Sequence, residues 1–493
     1  MIALVIGEWI QSHVGVTLAI TVGGYLITAV YVPRVLFRKS EPGATLAWLI
    51  VILLFPYAGL LFYTVLGSNR IRRRRAARRE YDEQIEIELG KLLEGGADAA
   101  QPEPPEPWID HTIFRVARNL GLGEGTAGND VMLYADGPAA FTAMIAAIHA
   151  ARDHIHVEFF IFRHDRTGER VLDALVAAAK RGVEVRLLVD AVGLAMTRTR
   201  VRFFEPLRAA GGQVTRFLPV GWVRGWSFFN LRNHRKLLVI DGDVAFTGGM
   251  NVGDEYAGRR RRWTRPWRDT MVRIRGPAAR ALQGVFARDW YFAAQESLAE
   301  ARFFPAPGPA GSDVVQVVPS GPDDSLLRLH RHTLAVIEAA RERLYIITPY
   351  FIPDPALASA IALAALRGVD VRIMLPLRSN HPMVKWAGRS FYEELLETGV
   401  VIHEFDEGML HAKALVVDGL VTSVGSANMD IRSFRLNFEL NTFVYGPAFA
   451  AQVEEVFVRN ALASKRVDPA AYARRSLVER FAETTARVLS PVL

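Results

Sequence analysis

Two distant stretches of this chain repeat one pattern at a fixed displacement. The first reads His234-x-Lys236, then Asp241, then Gly248-Gly249-x-Asn251. The second reads His411-x-Lys413, then Asp418, then Gly425-Ser426-x-Asn428, with every position displaced by 177. Other matches follow in the same order. Ala150-Ala151-Arg152 recurs as Ala339-Ala340-Arg341, and Arg181-Gly182-Val183-Glu184-Val185-Arg186 recurs as Arg367-Gly368-Val369-Asp370-Val371-Arg372, at offsets of 189 and 186. Ordered repetition of this kind implies a duplicated lobe, and two pseudo-symmetric lobes usually put function at the face they share.

Within the repeat, β-like runs such as Val157–Phe162 and Val183–Val189 alternate with Ala-rich helical stretches such as Glu169–Lys180. This is the pattern of an α/β protein. The expectation is two lobes, each a mixed sheet flanked by helices. Pro/Gly-rich breaks at Gly95–Pro107 and Phe304–Ser312 suggest a division into 1–79, 80–107, 108–310 and 311–493.

The residue types of the repeat dictate its chemistry. In a strand, the period of two puts His and Lys on one face, and apolar Leu237–Ile240 and Ala414–Val417 continue as buried strand. Imidazole can attack phosphorus or pass a proton near neutral pH, while the next-but-one Lys supplies positive charge for phosphate oxygens. The Asn251 and Asn428 amides and the backbone of the Gly turns add donors, so these two Asn are read as phosphate-binding. Two sets facing one phosphodiester allow one His to act as nucleophile and the other as general acid, through a phosphohistidine. Asp241 and Asp418 complete the motif and are read as turn-holding acceptors, since a carboxylate against the phosphate would repel it. No metal or other cofactor is expected, because the Lys pair supplies the charge.

The 493 residues include no Cys, which excludes disulfides, thiolate nucleophiles and thiolate metal sites. The net charge of +7 is not spread along the chain. Residues 1–79 hold ten Lys/Arg against Glu8 and Glu41, and the remainder is near neutral, with 49 basic against 50 acidic residues. A nuclease body should show a basic groove, so a nucleic-acid partner is not expected.

The basic N-terminal segment is also the most apolar. Val14–Val32 runs for 19 residues without a charge and Ala44–Leu66 for 23, each long enough for a helix to cross the hydrocarbon core. No Lys or Arg precedes the first run and no small-residue cleavage site follows it, which argues against a signal peptide. The expectation is a transmembrane hairpin, with Pro56 tolerated inside the second span. Arg70, Arg72, Arg73, Arg74, Arg75, Arg78 and Arg79 follow, against Arg34, Arg38 and Lys39 in the short loop. That asymmetry marks the body's side as cytoplasmic and favours anionic lipid as a partner.

At these residues the chain resembles the phospholipase D superfamily, and more closely its bacterial cardiolipin synthase branch. The resemblance covers nearly the whole chain. It rests on the twin motifs, the N-terminal spans, Trp267-Arg268-Asp269-Thr270, Thr348-Pro349-Tyr350-Phe351, Asn428-Met429-Asp430-Ile431-Arg432-Ser433 and Phe438-Glu439-Leu440-Asn441. It implies phosphatidyl transfer between two phosphatidylglycerol molecules at a bacterial inner membrane, yielding cardiolipin and glycerol. It also implies an acidic residue after each motif that orients the catalytic His: Asp269 for the first copy and Glu439 for the second. A carboxylate there sets the tautomer and stabilises imidazolium. By the same analogy His234 is the nucleophile and His411 the acid/base.

Two aromatic–basic segments carry softer signals. Gly221–Phe229 suits a segment dipping into a membrane interface, and Arg259–Arg268 with its Trp residues suits phosphate binding. The motif alone does not separate transfer between lipids from hydrolysis to phosphatidic acid or transfer to another alcohol, since these differ only in what attacks the phosphohistidine.

Overall fold

The computed structural model describes residues 2–37, 42–64, 79–94, 103–219, 231–259, 267–306 and 308–488. The basic run 70–78, the linker residues 95–102, the segment 221–229 and residues 260–266 of the second Arg/Trp cluster lie outside them. The described chain falls into two compact units, an N-terminal helical unit and a body that starts at the helix Arg79–Glu94.

In the first unit, α1 (Ile2–Leu36) contains the apolar stretch Gly15–Leu36, the one helix among the described residues long and apolar enough to cross a membrane. The second apolar run departs from the single span expected of it. It forms α2 (Pro42–Leu54) and α3 (Pro56–Phe62), separated at Phe55, whose backbone is at φ −133° and ψ 71°. The cause is Pro56, whose ring drives the preceding residue out of the helical region. The break is held locally, with the Tyr57 hydroxyl donating to the Ile20 carbonyl at 2.7 Å and Val35, Ile52 and Tyr63 packing together.

The body is built on one 15-stranded sheet. In chain order its strands are β1 (Thr126–Tyr134), β2 (His154–Phe159), β3 (Glu184–Asp190), β4 (Gln213–Phe217), β5 (Lys236–Ile240), β6 (Val244–Gly248) and β7 (Met271–Arg275) in the first half. The second half supplies β8 (Asp313–Ser320), β9 (Arg343–Ile347), β10 (Asp370–Pro376), β11 (Val401–Phe405), β12 (Ala414–Val417), β13 (Val421–Gly425), β14 (Glu439–Tyr445) and β15 (Ser464–Arg466). The spatial order is β15-β11-β10-β9-β12-β13-β14-β8-β1-β7-β6-β5-β2-β3-β4.

That order is a near palindrome. Each half carries three parallel strands at its outer side, joined to an antiparallel run toward the middle. The lobes therefore do not keep separate sheets. The antiparallel pairing of β1 with β8, Thr126 opposite Val315, fuses them into one. Both halves build their crossovers alike. Helix α4 (Arg166–Lys180) follows β2 and is capped by Asp165, and α5 (Pro355–Leu366) follows β9 and is capped by Asp354. Each cap side chain accepts a first-turn N–H that would otherwise lack a partner. Helix α6 (Pro382–Arg389) lies in the crossover from β10 to β11, and α7 (Leu477–Val488) is the last described element.

The strands carrying the motifs are buried throughout, as apolar β-branched runs covered on both faces should be. β5 runs antiparallel to β2, with Lys236 opposite Phe159, so His234 lies beyond the carboxyl ends of the parallel strands. β12 stands in the same relation to β9, with Ala414 opposite Ile347. In open α/β sheets this is the end where ligands bind.

Candidate active site

Short parallel pairings stitch the two halves together at the sheet's carboxyl end. Asn233 bridges to Phe438, and the His234 N–H donates to the Phe438 carbonyl at 2.9 Å. Met409-Leu410 pairs with Trp267-Arg268, and the His411 N–H donates to the Arg268 carbonyl at 2.7 Å. Each motif histidine thus docks on the segment leading into the other half's central strand.

This docking reverses the carboxylate assignment. His234 Nδ1 is 3.0 Å and 3.1 Å from the two carboxylate oxygens of Glu439, and His411 Nδ1 is 2.6 Å from Asp269 Oδ2. The acid after the first motif serves the second histidine, and the acid after the second motif serves the first. Assignment by order along the chain fails because β7, which follows Asp269, and β14, which begins at Glu439, are the strands flanking the central seam. Glu439 fixes the Nδ1–H of His234 and leaves its Nε2 free, while Asp269 and His411 Nδ1 share a proton.

The two pairs have different surroundings. Glu439 also accepts from Ser426 Oγ (2.5 Å) and Asn437 Nδ2 (3.0 Å). Burial pushes its carboxyl up, but His234, Lys236 and Ser426 outweigh that and hold it below the usual glutamate value. Asp269 accepts its neighbour Thr270's N–H at 2.7 Å. Its burial wins against Lys413 and Thr270, and its pKa rises to about 7. Gly249 occupies the place of Ser426, and a Cβ on it would lie 2.1 Å from Asp269 Oδ1. The shorter acid fits beside the glycine, and the longer acid is held by the serine.

Lys236 and Lys413 donate to the carbonyls of His234 and His411, and Lys413 Nζ also stands 2.8 Å from His411 Nδ1. Burial lowers Lys236 to about 7, with Lys413 adding to the effect against Glu439, and lowers Lys413 to about 8 against Asp269 and Glu439. Burial also lowers His234 to about 4, against the pull of Glu439, and holds His411 well below its ordinary value. Both imidazoles rest neutral, the state a nucleophile needs, and the further proton of the His411 pair is held by Asp269. Phe160 stands beside His234 at 5.2 Å, whereas Trp267, Tyr256 and Tyr350 surround His411 at 4.9, 5.6 and 6.4 Å.

The remaining motif residues divide. Asp241 accepts the N–H groups of Arg152, Asp153 and His154 at 2.9–3.0 Å, and Asp418 accepts those of Arg341, Glu342 and Arg343, the shortest at 2.8 Å. They sit past the opposite ends of β5 and β12 from the histidines, seven residues on, or roughly 23 Å along the chain at the rise of a strand. They fix the loops that start β2 and β9, and they do not reach the reacting centre. This explains why Ala-Ala-Arg repeats with the motif: it is the segment these carboxylates hold. Asn251 is committed on both sides of its amide, its Oδ1 accepting from the Ile161 N–H and its Nδ2 donating to Tyr256 Oη, each at 3.0 Å. Asn428 is buried, with an Oδ1 that has no partner among the described residues. An unpartnered buried amide oxygen costs about 1–3 kcal/mol, which leaves Asn428 the better prepared of the two to meet a ligand.

A supporting layer escaped the sequence reading. Arg235, between the motif His and Lys, turns away from the site. It donates to the Glu439 carbonyl (3.1 Å), the Ser320 carbonyl (2.8 Å) and the Asp289 carboxylate. Asn233 donates to buried Glu158, and its N–H donates to Asp190 at 3.1 Å. The string Asn233-His234-Arg235-Lys236 belonged to the resemblance, but nothing local assigns Arg235 partners more than fifty residues away.

This geometry defines a class: a two-lobed phosphodiester enzyme with one His, one Lys and one crossing carboxylate from each half. Comparison with known proteins agrees. The family model described as "Cardiolipin synthase, PLD-like domain" matches residues 144–290 and 333–461, and one described as "Phospholipase_D-nuclease N-terminal" matches 25–67. Cardiolipin synthase of Listeria innocua is 38% identical over 469 residues, covering 93% of this chain and 95% of that protein. Cardiolipin synthase of Geobacillus kaustophilus is 37% identical over 459 residues, covering 92% and 90%. The crystal structure of phosphatidylserine synthase from Haemophilus influenzae shares the fold, with a TM-score of 0.58 at 16% identity over 77% of this chain and 97% of that one. The chain belongs to the cardiolipin synthase family of phospholipase D-like enzymes.

Proposed function

We propose that the protein transfers the phosphatidyl group of one phosphatidylglycerol to a free glycerol hydroxyl of a second, releasing glycerol and forming cardiolipin. His234 Nε2 attacks phosphorus, the bond to the leaving glycerol oxygen breaks, and that oxygen takes the Nε2 proton of His411, whose Nδ1 in turn takes the proton held by Asp269. The acceptor hydroxyl then gives its proton to His411 and attacks phosphorus, breaking the phosphorus–nitrogen bond.

The observation that carries this reading is the crossed pairing of each histidine with the other half's carboxylate. It makes one site from two copies, in which the charges of Lys236 and Lys413 both reach His411. The choice of His234 as nucleophile is supported by the difference between the pairs. Glu439, held ionised by three side-chain donors, keeps the Nδ1 proton of a neutral His234. Asp269, raised to about 7, and His411 share the proton that the leaving oxygen needs. Lys236 and Lys413 serve the phosphate charge, with Asn428 a further contact and Asn251 holding the turn.

Anchoring is supported by α1, which is long enough to span, and by a second apolar run broken at Pro56. Two passes with the body on the cytoplasmic side follow from the basic run at 70–79.

The test is mass spectrometry of lipids after the purified protein meets phosphatidylglycerol vesicles in EDTA. Cardiolipin with released glycerol supports transfer between lipids. Phosphatidic acid alone makes water the acceptor and overturns it. His234→Ala and His411→Ala should each lower turnover by at least about 10³-fold, the scale for removing a nucleophile or general acid.

A further inference from the structure

Helix α7 is amphipathic, but its polar side faces the protein. Glu483 is buried and accepts from Arg389 Nε (3.1 Å), Arg475 Nε (2.8 Å) and Tyr472 Oη (3.0 Å). Arg475 and Arg480 both reach Glu393, at 2.8 Å each. The apolar side faces outward, where Leu477, Val478, Phe481 and Val488 are 74–81% exposed. At 100° per residue these four fall within one arc of roughly 100°. Single exposed apolar residues are ordinary, but four on one helix face, with Glu483 buried on the opposite side, describe a surface made to meet something apolar.

Its location says what that is. Helix α7 packs against α6, whose N-terminal neighbour His381 is 5.7 Å from the Tyr350 ring, and Tyr350 is 6.4 Å from His411. A cleft of about 400 Å³ between the two helices has Arg378, Lys385 and Arg389 on its walls against the single acid Glu479; Arg389 is paired with Glu404 and Glu483, and Arg378 lies 3.8 Å from Asp406. The Arg378 side chain is 83% exposed. An apolar helix face beside a cationic cleft, next to the mouth of a site for anionic lipid, has the chemistry of a bilayer surface rather than of a protein partner. A stable dimer would need roughly 20–30 residues a side, far more than this face offers.

We propose that α7 lies in the headgroup region of an anionic bilayer with Leu477, Val478 and Phe481 immersed, and with Arg378 and Lys385 against lipid phosphate. It is a second membrane contact, independent of the N-terminal spans, that holds the catalytic mouth at the surface from which substrate is drawn. The inference rests on the lipid-substrate reading above. Its test reads immersion depth rather than turnover, so the two can fail separately.

The chain has no Cys, so single-cysteine variants of the full protein can be labelled without background. Val478→Cys and Phe481→Cys, carrying an environment-sensitive fluorophore, would be reconstituted in phosphatidylglycerol vesicles alongside Arg170→Cys, an exposed position on α4. The expected result is blue-shifted emission at 478 and 481, quenched by lipid brominated in its acyl chains, with neither effect at 170. Water-like emission at 481 overturns the proposal. Blue-shifted emission that brominated lipid does not quench also overturns it, because the face is then covered by protein: a second copy or another part of the same chain. In parallel, the combined Leu477→Gln, Val478→Gln and Phe481→Gln variant should lose about tenfold on vesicles, the scale of losing several immersed side chains, and little on monomeric short-chain phosphatidylglycerol. Equal activity of variant and parent on vesicles would count against the proposal.

Discussion

Glu439 of the second half holds Nδ1 of His234 of the first at 3.0 Å, and Asp269 of the first half holds His411 of the second at 2.6 Å. Neither half carries a complete catalytic histidine by itself, so the two copies of the motif must be folded against each other before either works. Double-mutant cycles on thermal stability test the crossing. Coupling should appear between positions 234 and 439 and between 411 and 269, at roughly 0.5–3 kcal/mol for groups in direct contact. It should be near zero between 234 and 269 and between 411 and 439. Coupling within each half instead would overturn the crossed assignment.

The glycine and serine at equivalent turns are matched to their acids. A Cβ on Gly249 would stand 2.1 Å from Asp269 Oδ1, whereas Ser426 donates to Glu439 at 2.5 Å. Gly249→Ala should therefore displace Asp269 and misalign His411, with a loss of about 10²-fold in kcat, as for small misplacements of catalytic groups. Ser426→Gly removes one of three side-chain donors to Glu439 and the acceptor of the buried Leu440 N–H, and should cost about 2 kcal/mol in stability with a smaller rate effect. Steady-state kinetics of the two variants, with melting temperatures, would show whether the order of severity is as argued.

The twin motif was legible because its information is local and stated twice. His, Lys and Asp fall within eight residues, and their recurrence at offset 177 separates them from chance. The crossing was not legible, because Asp269 and Glu439 each follow their own motif in the chain and only the pairing of Asn233 with Phe438 and Leu410 with Arg268 reveals the exchange. The fusion of both lobes into one sheet was hidden for a similar reason. It rests on β1 and β8, whose partners lie some 180 residues apart, and no short-range pattern specifies such a contact. The broken second apolar run was readable in principle from Pro56, whose effect on Phe55 is a rule of local sterics. The outward face of α7 required knowing that Glu483 is buried, since sequence periodicity shows that a helix is amphipathic but not which side faces in.

Arg235 is placed to support the site from behind. It neutralises Asp289 in a buried cluster where Glu158, raised well above its usual value by burial and by Asp289, shares a hydrogen bond with that carboxyl. Arg235→Met would leave two buried carboxyl groups without their cation, and removing one partner of such a cluster costs roughly 3–5 kcal/mol. The sign of its pH dependence follows. In the variant the folded-state carboxyls titrate higher than in the unfolded chain, so the folded state binds more protons and stability falls as pH rises. The deficit against the parent should be larger at about pH 8 than at about pH 5, because acid neutralises the unpaired groups. Thermal unfolding at the two pH values decides it, and an equal deficit at both would mean that lost packing, not unpaired charge, is the cause.

The alkaline side of the activity profile should belong to the lysine pair together with Asp269, whose proton, held up to about 7, serves the leaving oxygen. Burial lowers Lys236 to about 7 and Lys413 to about 8, so the empty site loses both ammonium charges as pH rises through this range. The phosphodiester stays anionic throughout, so its affinity for the site falls with them, and kcat/KM, which reports the free enzyme, should decline from near neutrality upward. Once lipid is bound, its phosphate favours the charged form of each lysine and raises both pKa values. The limb in kcat should therefore stand at higher pH than the limb in kcat/KM. His234, at about 4, stays neutral across the range and adds no limb of its own above about pH 6. Lys236→Arg supplies the discriminating case, because a guanidinium does not titrate there. It should lower the rate through its poorer fit yet remove the lysine's share of the decline, leaving the share that Asp269 contributes near 7. Initial rates on short-chain phosphatidylglycerol between about pH 6 and 10 would show both displacements, and a kcat/KM that stays level to about pH 9 would mean that the lysines remain charged in the empty site.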